Sequence, residues 1–456
     1  MRAFVRAMAA FAFAAASLAL ASCERDFSSP PGACDLVFSS DTLSFDTIYS
    51  GIVTPTAKLT LRNVGDADVT IGRIRLEGGE SSLFGVNIGG RPLADVSGVR
   101  LAHGDSLYIF VCVRRPEPRG GRALTRLADR IVVESGGNVW QVALDAAVLN
   151  VCRVGGVVEA DAEWLCDTVP YLLSDTLCVS GSARLVVGPG VEVLMARGGA
   201  VEVRGSLVLA GAPGRRVRLR PMRQDGFYED IPGQWGGVRV RGGGSVSLNY
   251  ADVACSSYGV MADSASSVTA DGLWVRDALR SAVSSRWADL RLSNTLLTNC
   301  GGAAIDAAGG SVRLLHTTIA NYYAWDARRS AALRLVRADS LVAMRADVMN
   351  TIVTGSLAAE VVVDSLPLAD VSFRNSLIRA DKKKVEAEEG VFLNCKVVSD
   401  PRFADRAAAN YRLTPRSEAV GLADASLAKD APTDIDGVPR LDADTIQAGA
   451  FQALTQ

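Results

Sequence analysis

The chain has 456 residues, with 48 Lys and Arg against 50 Asp and Glu and a net charge of −2. A balance this near to neutral, with no basic stripe along the sequence, excludes the electrostatic footprint of a nucleic-acid binder. Two His and no Cys-x-x-Cys pair exclude a zinc framework, so no metal or other cofactor is expected. The length is about three times that of an ordinary domain, which leaves one large repeat domain or two to three compact ones.

Arg2 and Arg6 precede an Ala-, Phe- and Leu-rich run from Ala7 to Ala21 that is too short to span a bilayer as a mature helix. Residues 1–22 therefore read as a secretory signal peptide. Leu20, Ala21 and Ser22 stand directly before Cys23 and form a lipobox, the alternative being an ordinary signal peptide with a chance Cys. The arrangement resembles that of bacterial lipoproteins as a class. That resemblance implies a diacylglyceryl group on Cys23 and a lipidated linker over 23–34. It also implies attachment to the bacterial outer membrane through this lipid, on its periplasmic or cell-surface side. Glu24 and Asp26, interrupted by Arg25, resemble the surface-export signal of Bacteroidetes lipoproteins. No second long apolar run follows, so the mature chain is expected to meet the membrane through its lipid alone.

Besides Cys23 the chain carries Cys34, Cys112, Cys152, Cys166, Cys178, Cys255, Cys300 and Cys395, too sparse a set for a disulfide framework. Cys166 and Cys178 lie close enough in sequence to close one short loop around Pro170 and Tyr171, with free buried thiols as the alternative.

From 35 to 150 the chain alternates short apolar strands with Gly, Asn and Asp turns. Strands are expected over Ala57–Arg62, Val69–Leu76, Asp105–Val113, Asp129–Val133 and Val139–Leu144. An Ig-like β-sandwich of about seven strands fits this pattern and length. Thr42–Thr47, Leu61–Gly65 and Asp105–Leu107 resemble the Ig-like module that opens many Bacteroidetes surface lipoproteins. No residue in that resemblance carries chemistry.

The punctuation changes over 151–456. Val246, Val268, Leu290 and Val312 recur every 22 residues (268−246, 290−268, 312−290), as do Leu248, Ala270, Leu292 and Leu314, and again Val253, Val275, Leu297 and Ile319. Three columns keeping one period over four turns predict a solenoid. A leucine-rich repeat shares this period, but its LxxLxL run and fixed Asn are absent, as are amphipathic helices between strands. A parallel β-helix is the expectation, with Val253, Val275, Leu297 and Ile319 stacked as an inward ladder. Tyr250, Gly272, Asn294, His316, Asn350 and Asn375 form a further column, in which Asn side chains can pair turn backbone groups. His316 has no partner at ligand spacing and is expected to belong to that turn column, as are Asp277, Asn299 and Asn321 to a second one.

Leu185–Val191, Val203–Gly211 and Gly233–Val238 resemble the opening coils of bacterial right-handed parallel β-helix proteins of the pectate-lyase-like type, with Trp235 placed to cover the coil stack. Asp400–Phe403, Asn410–Leu413, Asp434–Arg440 and Ala448–Phe451 are similar to the ending of the same family, a C-terminal cap. The resemblance implies an all-β chain, an Ig-like sandwich followed by a right-handed parallel β-helix. It does not give the activity, because its members include lyases, depolymerases and non-catalytic surface proteins.

Glycosidases need two carboxylates across the scissile bond, and lyases a base with charge neutralisation. Asp pairs and a Gly-His-Gly of the polygalacturonase kind are absent. Glu229-Asp230 and Asp434-Ile435-Asp436 are the nearest pairs, the first in a loop and the second in the ending motif. No catalytic residue is assigned. The expected function is a non-catalytic module of the cell envelope binding polysaccharide or a partner surface. A polysaccharide lyase or glycoside hydrolase acting on an extended acidic glycan, and a purely structural spacer, are the alternatives. Tyr322, Tyr323 and Trp325, in a lengthened coil, are the candidate ligand-binding rings, with core packing as the other reading of each. Lys382, Lys383 and Lys384 read as a solvated loop.

Overall fold

The structure is a computed structural model that describes residues 36–452 apart from 53, 93–94, 115–123, 225, 339–343, 365–369, 389, 442 and 444. The expected signal peptide, the lipid site Cys23 and Cys34 lie outside the described residues. Tertiary contacts divide the chain into two units that meet in sequence between Asn150 and Val151.

Among its described residues unit 1 has ten strands: β1 (Leu36–Phe38), β2 (Thr42–Tyr49), β3 (Ala57–Asn63), β4 (Val69–Leu76), β5 (Phe84–Ile88), β6 (Arg91–Pro92), β7 (Asp95–Leu101), β8 (Ser106–Val113), β9 (Thr125–Ser135) and β10 (Asn138–Leu149). They form two five-stranded sheets, β1-β3-β8-β5-β6 and β2-β10-β9-β4-β7. Alternate residues of β3 and β8 point inward, so Leu59, Leu61, Ile109 and Val111 meet Ile71, Ile131, Val133 and Val142 of the other sheet in one core. The unit is a β-sandwich with three strands more than expected. The short β1 and β6 were invisible to periodicity because two or three residues cannot display an alternation.

Unit 2 is a parallel β-helix. Each regular coil contributes three strands, as in Ser245–Asn249, Ala251–Ala254 and Val260–Ala262. The first strands stack into a ten-stranded parallel sheet, here the first ladder. The other two sets build second and third ladders, which merge into one sheet of 18 strands. All three 22-residue columns are in register: Val246, Val268, Leu290 and Val312 pair coil to coil, as do Leu248, Ala270, Leu292 and Leu314. The third runs Leu219, Val253, Val275, Leu297, Ile319, Val353 and Ile378 and so survives two coils lengthened by insertions. Val253, Val275, Leu297 and Ile319 have no exposed surface. Burying each such side chain is worth about 1.5–3 kcal/mol, which is what joins coils that could not fold singly.

The corner between first and second ladders is one residue deep, and it forces left-handed backbone. Tyr250, Gly272, Asn294, His316, Asn350 and Asn375 have φ of 43°, 72°, 46°, 48°, 50° and 50°. Asn and Gly tolerate this region best, which explains why the column is rich in them. The second corner uses the same device at Cys255, Asp277 and Asn299, with φ of 58°, 54° and 53°. Gly237 is required on two counts. Its φ is +94°, and a Cβ there would lie 1.7 Å from the Tyr258 carbonyl oxygen of the next coil.

Two expectations are corrected. Trp235 does not cover the stack from outside. It is buried in the core and donates from Nε1 to the Ala254 carbonyl at 2.8 Å. The ending motif is not confined to the end of the rod. The described residues of 398–452 form a strap along its flank, over the first corner. Tyr411, Ile435 and Ala450 pack on Leu296 and Ala320, while Ala419, Leu422 and Ala448 pack on Ile352 and Leu377. Polar clips come from the corner column itself: Asn294 Oδ1 accepts from Arg440 at 2.9 Å, Asn350 Oδ1 accepts from the Asp424 amide at 2.8 Å, and Asn375 Nδ2 donates to the Leu422 carbonyl at 3.1 Å. At its far end Gly437 meets Pro213, an early coil. The lysine run is a short helix, α1 (Lys382–Ala387), capped by the Asp381 carboxylate and solvated as expected.

Candidate functional site

The three aromatic side chains expected to bind ligand do not share a surface. Tyr322 turns under the strap, packed with Leu296, Tyr411 and Phe451. Its hydroxyl lies 3.0 Å from Thr354 Oγ1 and the Arg406 guanidinium 4.4 Å above its ring. Tyr323 is buried and fills the space beside Gly301, where a Cβ would lie 3.2 Å from its ring. Trp325 alone is open, with 51% of its surface exposed. Its loop is held firmly. Arg328, itself buried, donates to Ser330 O and to both oxygens of the buried Glu360, which also accepts the Ala332 and Leu357 amides.

Trp325 closes a row of loops that leave the second corner on successive coils. At the other end lies the 223–234 loop, where Phe227 is 74% exposed and meets the Tyr228 ring edge-on at 5.2 Å; the Arg223 guanidinium sits 3.5 Å from the Tyr228 ring centre. Gln234 Nε2 donates to the Tyr228 and Ile231 carbonyls and fixes the loop's curl. Leu279, 45% exposed, lies against Gly233 from the coil two further along, and Arg280 reaches toward the Tyr258 ring at 5.9 Å. Exposed apolar side chains thus stand on loops that follow stacked strands of one ladder, a disposition suited to binding.

Beneath these loops lies a charged cluster that the coil stacking assembles. Arg276 points outward from the Trp274–Arg276 strand, with Nε 3.6 Å from Asp252 Oδ1 and Nη1 3.3 Å from Asp277 Oδ2 and 3.4 Å from Asp230 Oδ1. Arg220 Nη2 donates to Asp252 Oδ2 at 3.2 Å. Burial raises the Asp277 carboxyl to about 6, with Arg276 and an Asn299 hydrogen bond opposing and Asp230 reinforcing. Burial likewise raises the Cys255 thiol, whose Sγ donates to the Glu229 carbonyl at 3.1 Å. Sequence spacing alone did not expose the cluster. Asp252 and Asp277 are 25 apart (277−252), one 22-residue coil plus a step of three from ladder to corner. The available signal was the outward alternation Trp274, Arg276 beside the turn column. Among the described residues no group of three or more His, Cys, Asp or Glu is arranged to hold a metal ion.

Other expected roles resolve simply. His316 is buried in the corner column, where Nε2 lies 3.0 Å from Asn350 Nδ2, a structural place. Asp434 accepts the amides of Asp436, Val438 and Gln452 and organises the strap's turn. Asn321 ends the strand Thr318–Asn321 without the left-handed φ of Asp277 and Asn299, but its side chain serves the turn of the preceding coil, accepting the Cys300 amide and donating to the Gly302 carbonyl. Cys166 and Cys178 are free thiols in this structure. Cys178 stands in a strand of the second and third ladders, paired with Val157 and Glu202, whereas Cys166 lies in the exposed turn after Ala162–Trp164 of the first ladder. Their different sheets explain why nearness in sequence did not join them. In unit 1 a cleft of about 440 Å³ is lined by Glu77, Phe84, Arg126 and Asp129, but its acids are engaged, Asp129 with the Gly78 amide and Glu77 with Arg130.

The fold and these loops define an all-β protein with a β-sandwich unit and a parallel β-helix unit. No family model matches the chain, and no curated protein matches it. Among solved structures it is similar to a family 123 glycoside hydrolase from Clostridium perfringens, at 11% identity over 28% of this chain and 26% of that one, with a TM-score of 0.19. It is also similar to an ASH/PapD-like domain of human CEP192, at 13% identity over 28% of this chain and 92% of that one, with a TM-score of 0.18. The VesB protease of Vibrio cholerae follows at 14% identity, covering 25% of this chain and 32% of that one, with a TM-score of 0.18. Likenesses this slight and partial assign no activity.

Proposed function

We propose that this chain is a lipoprotein of the bacterial outer membrane, tethered through a lipid on Cys23, whose β-helix is a non-catalytic module that binds a polysaccharide or a partner surface. The observation that carries the non-catalytic reading is the convergence of Asp230, Asp252 and Asp277 on Arg276. A glycosidase needs one protonated and one ionised carboxylate facing the scissile bond across an open cleft. Here the carboxylates are committed to the Arg276 guanidinium, and Asp252 to that of Arg220 as well, and Asp252 and Asp277 are only 4% and 7% exposed. A lyase or hydrolase reading draws on Asp277, whose carboxyl at about 6 lies near the range of a general acid at neutral pH. Burial and its bonds to Asn299 and Arg276 keep that acid from a polymer. A spacer role asks for no ligand at all.

The test incubates the purified protein with a panel of polysaccharides and measures retention together with new reducing or unsaturated ends. Retention without new ends is expected. Cleavage that disappears in Asp277→Asn while the fold persists would establish the enzyme reading instead. In cells, a fatty-acid label should enter the wild-type chain and not Cys23→Ser; equal labelling of both would end the lipoprotein reading.

A further inference from the structure

Resting on the binding reading above, we propose that the described residues of the second-corner loops, from 223–234 to 322–331, form a row of subsites for an uncharged polysaccharide lying along the rod axis. The geometry supplies the row. Phe227, Tyr258, Leu279 and Trp325 follow the strands Val217–Pro221, Ala251–Ala254, Trp274–Arg276 and Thr318–Asn321, with Gly301 and Gly302 on the intervening coil. Parallel strands stack about 4.8 Å apart, so five coils set out a line roughly 20 Å long. Its rise per coil is close to the length of one sugar ring in an extended chain. The apolar side chains arrive at intervals along this line and are separated by charged groups. A protein hot spot, by contrast, gathers its anchors at the centre of a single patch.

Charge chooses the class of polymer. Arg223, Arg280 and Arg329 are exposed on these loops, and so are Glu229, Asp230 and Asp326; the sequence adds Asp225, so acids outnumber arginines by one (4−3). Such a row does not attract an acidic chain over distance, while its mixed donors and acceptors suit hydroxyl groups. The two arginine and tyrosine pairs, Arg223 with Tyr228 and Arg280 with Tyr258, present flat faces of mixed character. Preformed loops reduce the ordering cost of binding: Arg328 and Glu360 clamp one end, and Gln234 holds the other.

Affinity electrophoresis of the mature chain tests this in gels containing a neutral β-glucan, galactomannan or xylan, or the acidic polymers polygalacturonate and alginate, at low and high salt. Retardation by at least one neutral polymer, insensitive to salt, is expected. Phe227→Ala and Trp325→Ala should each weaken it about tenfold, the loss of one aromatic contact, while Lys383→Ala on α1 leaves it unchanged. Unchanged circular dichroism spectra will show that the variants are folded. Retardation by acidic polymers alone, abolished by salt, overturns the uncharged class. Undiminished neutral binding by the Phe227→Ala/Trp325→Ala double variant places the ligand elsewhere and overturns the row, yet leaves the proposed function standing. Absence of retardation by every polymer overturns the row and moves the proposed function to its protein-partner arm.

Discussion

Asn350 is asked to do two things at once, and two substitutions separate them. It holds a corner at φ 50°, and its amide joins three groups: Oδ1 accepts the Asp424 amide at 2.8 Å, and Nδ2 lies 3.2 Å from the Asp424 carbonyl and 3.0 Å from His316 Nε2. Asn350→Gly keeps the corner and deletes the amide, leaving the Asp424 N–H and His316 Nε2 unpaired in a buried place at about 1–3 kcal/mol each. Asn350→Ala adds the left-handed penalty of a Cβ, about 1–2 kcal/mol more. The expected losses are therefore about 2–6 kcal/mol for Gly and about 3–8 kcal/mol for Ala, the Ala variant being about 1–2 kcal/mol the worse. Urea unfolding measures the difference, and hydrogen exchange over 419–431 shows whether the strap opens first. Equal losses in the two variants would refute the strained corner, and a Gly variant as stable as wild type would refute the clip.

Val275→Asp places an unpaired charge between Val253 and Leu297 and should cost several kcal/mol in thermal unfolding. Lys383→Ala, exposed on α1, should stay within about ±0.5 kcal/mol. His316 is held well below the ordinary imidazole value of 6.5, first by burial and then by Arg440, with Asn350 and the strap backbone at Gln447 and Gly449 around it; Asp434 and Asp271 face Arg440 in turn. Because the unfolded chain takes up that proton first, the stability it lends is full above 6.5 and falls as pH drops below that value. His316→Asn, the residue type of its own column, should flatten this acid limb in unfolding curves; an unaltered limb would assign it to other groups. Asp277 has the opposite sign. Its carboxyl is raised from 3.8 to about 6, so its contribution is present below 3.8 and lost as pH rises through 6, and Asp277→Asn should lessen that decline in the same curves. Mass spectrometry of unreduced peptides should find Cys166 and Cys178 unlinked. Cys166, whose pKa is lowered by the Thr168 hydroxyl and neighbouring amides, should alkylate ahead of Cys255 and Cys300, both pushed up to about 12 by burial.

The sequence spoke clearly where one period governed many residues. The inward ladder from Val253 to Ile378 and the left-handed corner from Tyr250 to Asn375 were legible because every coil repeats the same steric demand. The strap was legible as a motif but not as a position. Its contacts, such as Arg440 with Asn294, join residues 146 apart in sequence (440−294), and no periodicity reports where an irregular segment lies. The candidate site suffered likewise. Trp325 was singled out and is exposed, but Tyr322 and Tyr323, its neighbours, were drawn into packing by the strap and by Gly301. Phe227 and Leu279 carried no signal in sequence, since an isolated apolar residue in a loop looks like any other until stacking sets it in line.

The account stands most directly on hydrogen exchange of the mature chain with and without a retained polysaccharide, followed in the same samples by assay of reducing and unsaturated ends. It predicts slowed exchange at 223–234, 277–282 and 322–331, with no new ends. Slowed exchange centred elsewhere on the rod, or the appearance of cleaved polymer, would contradict it.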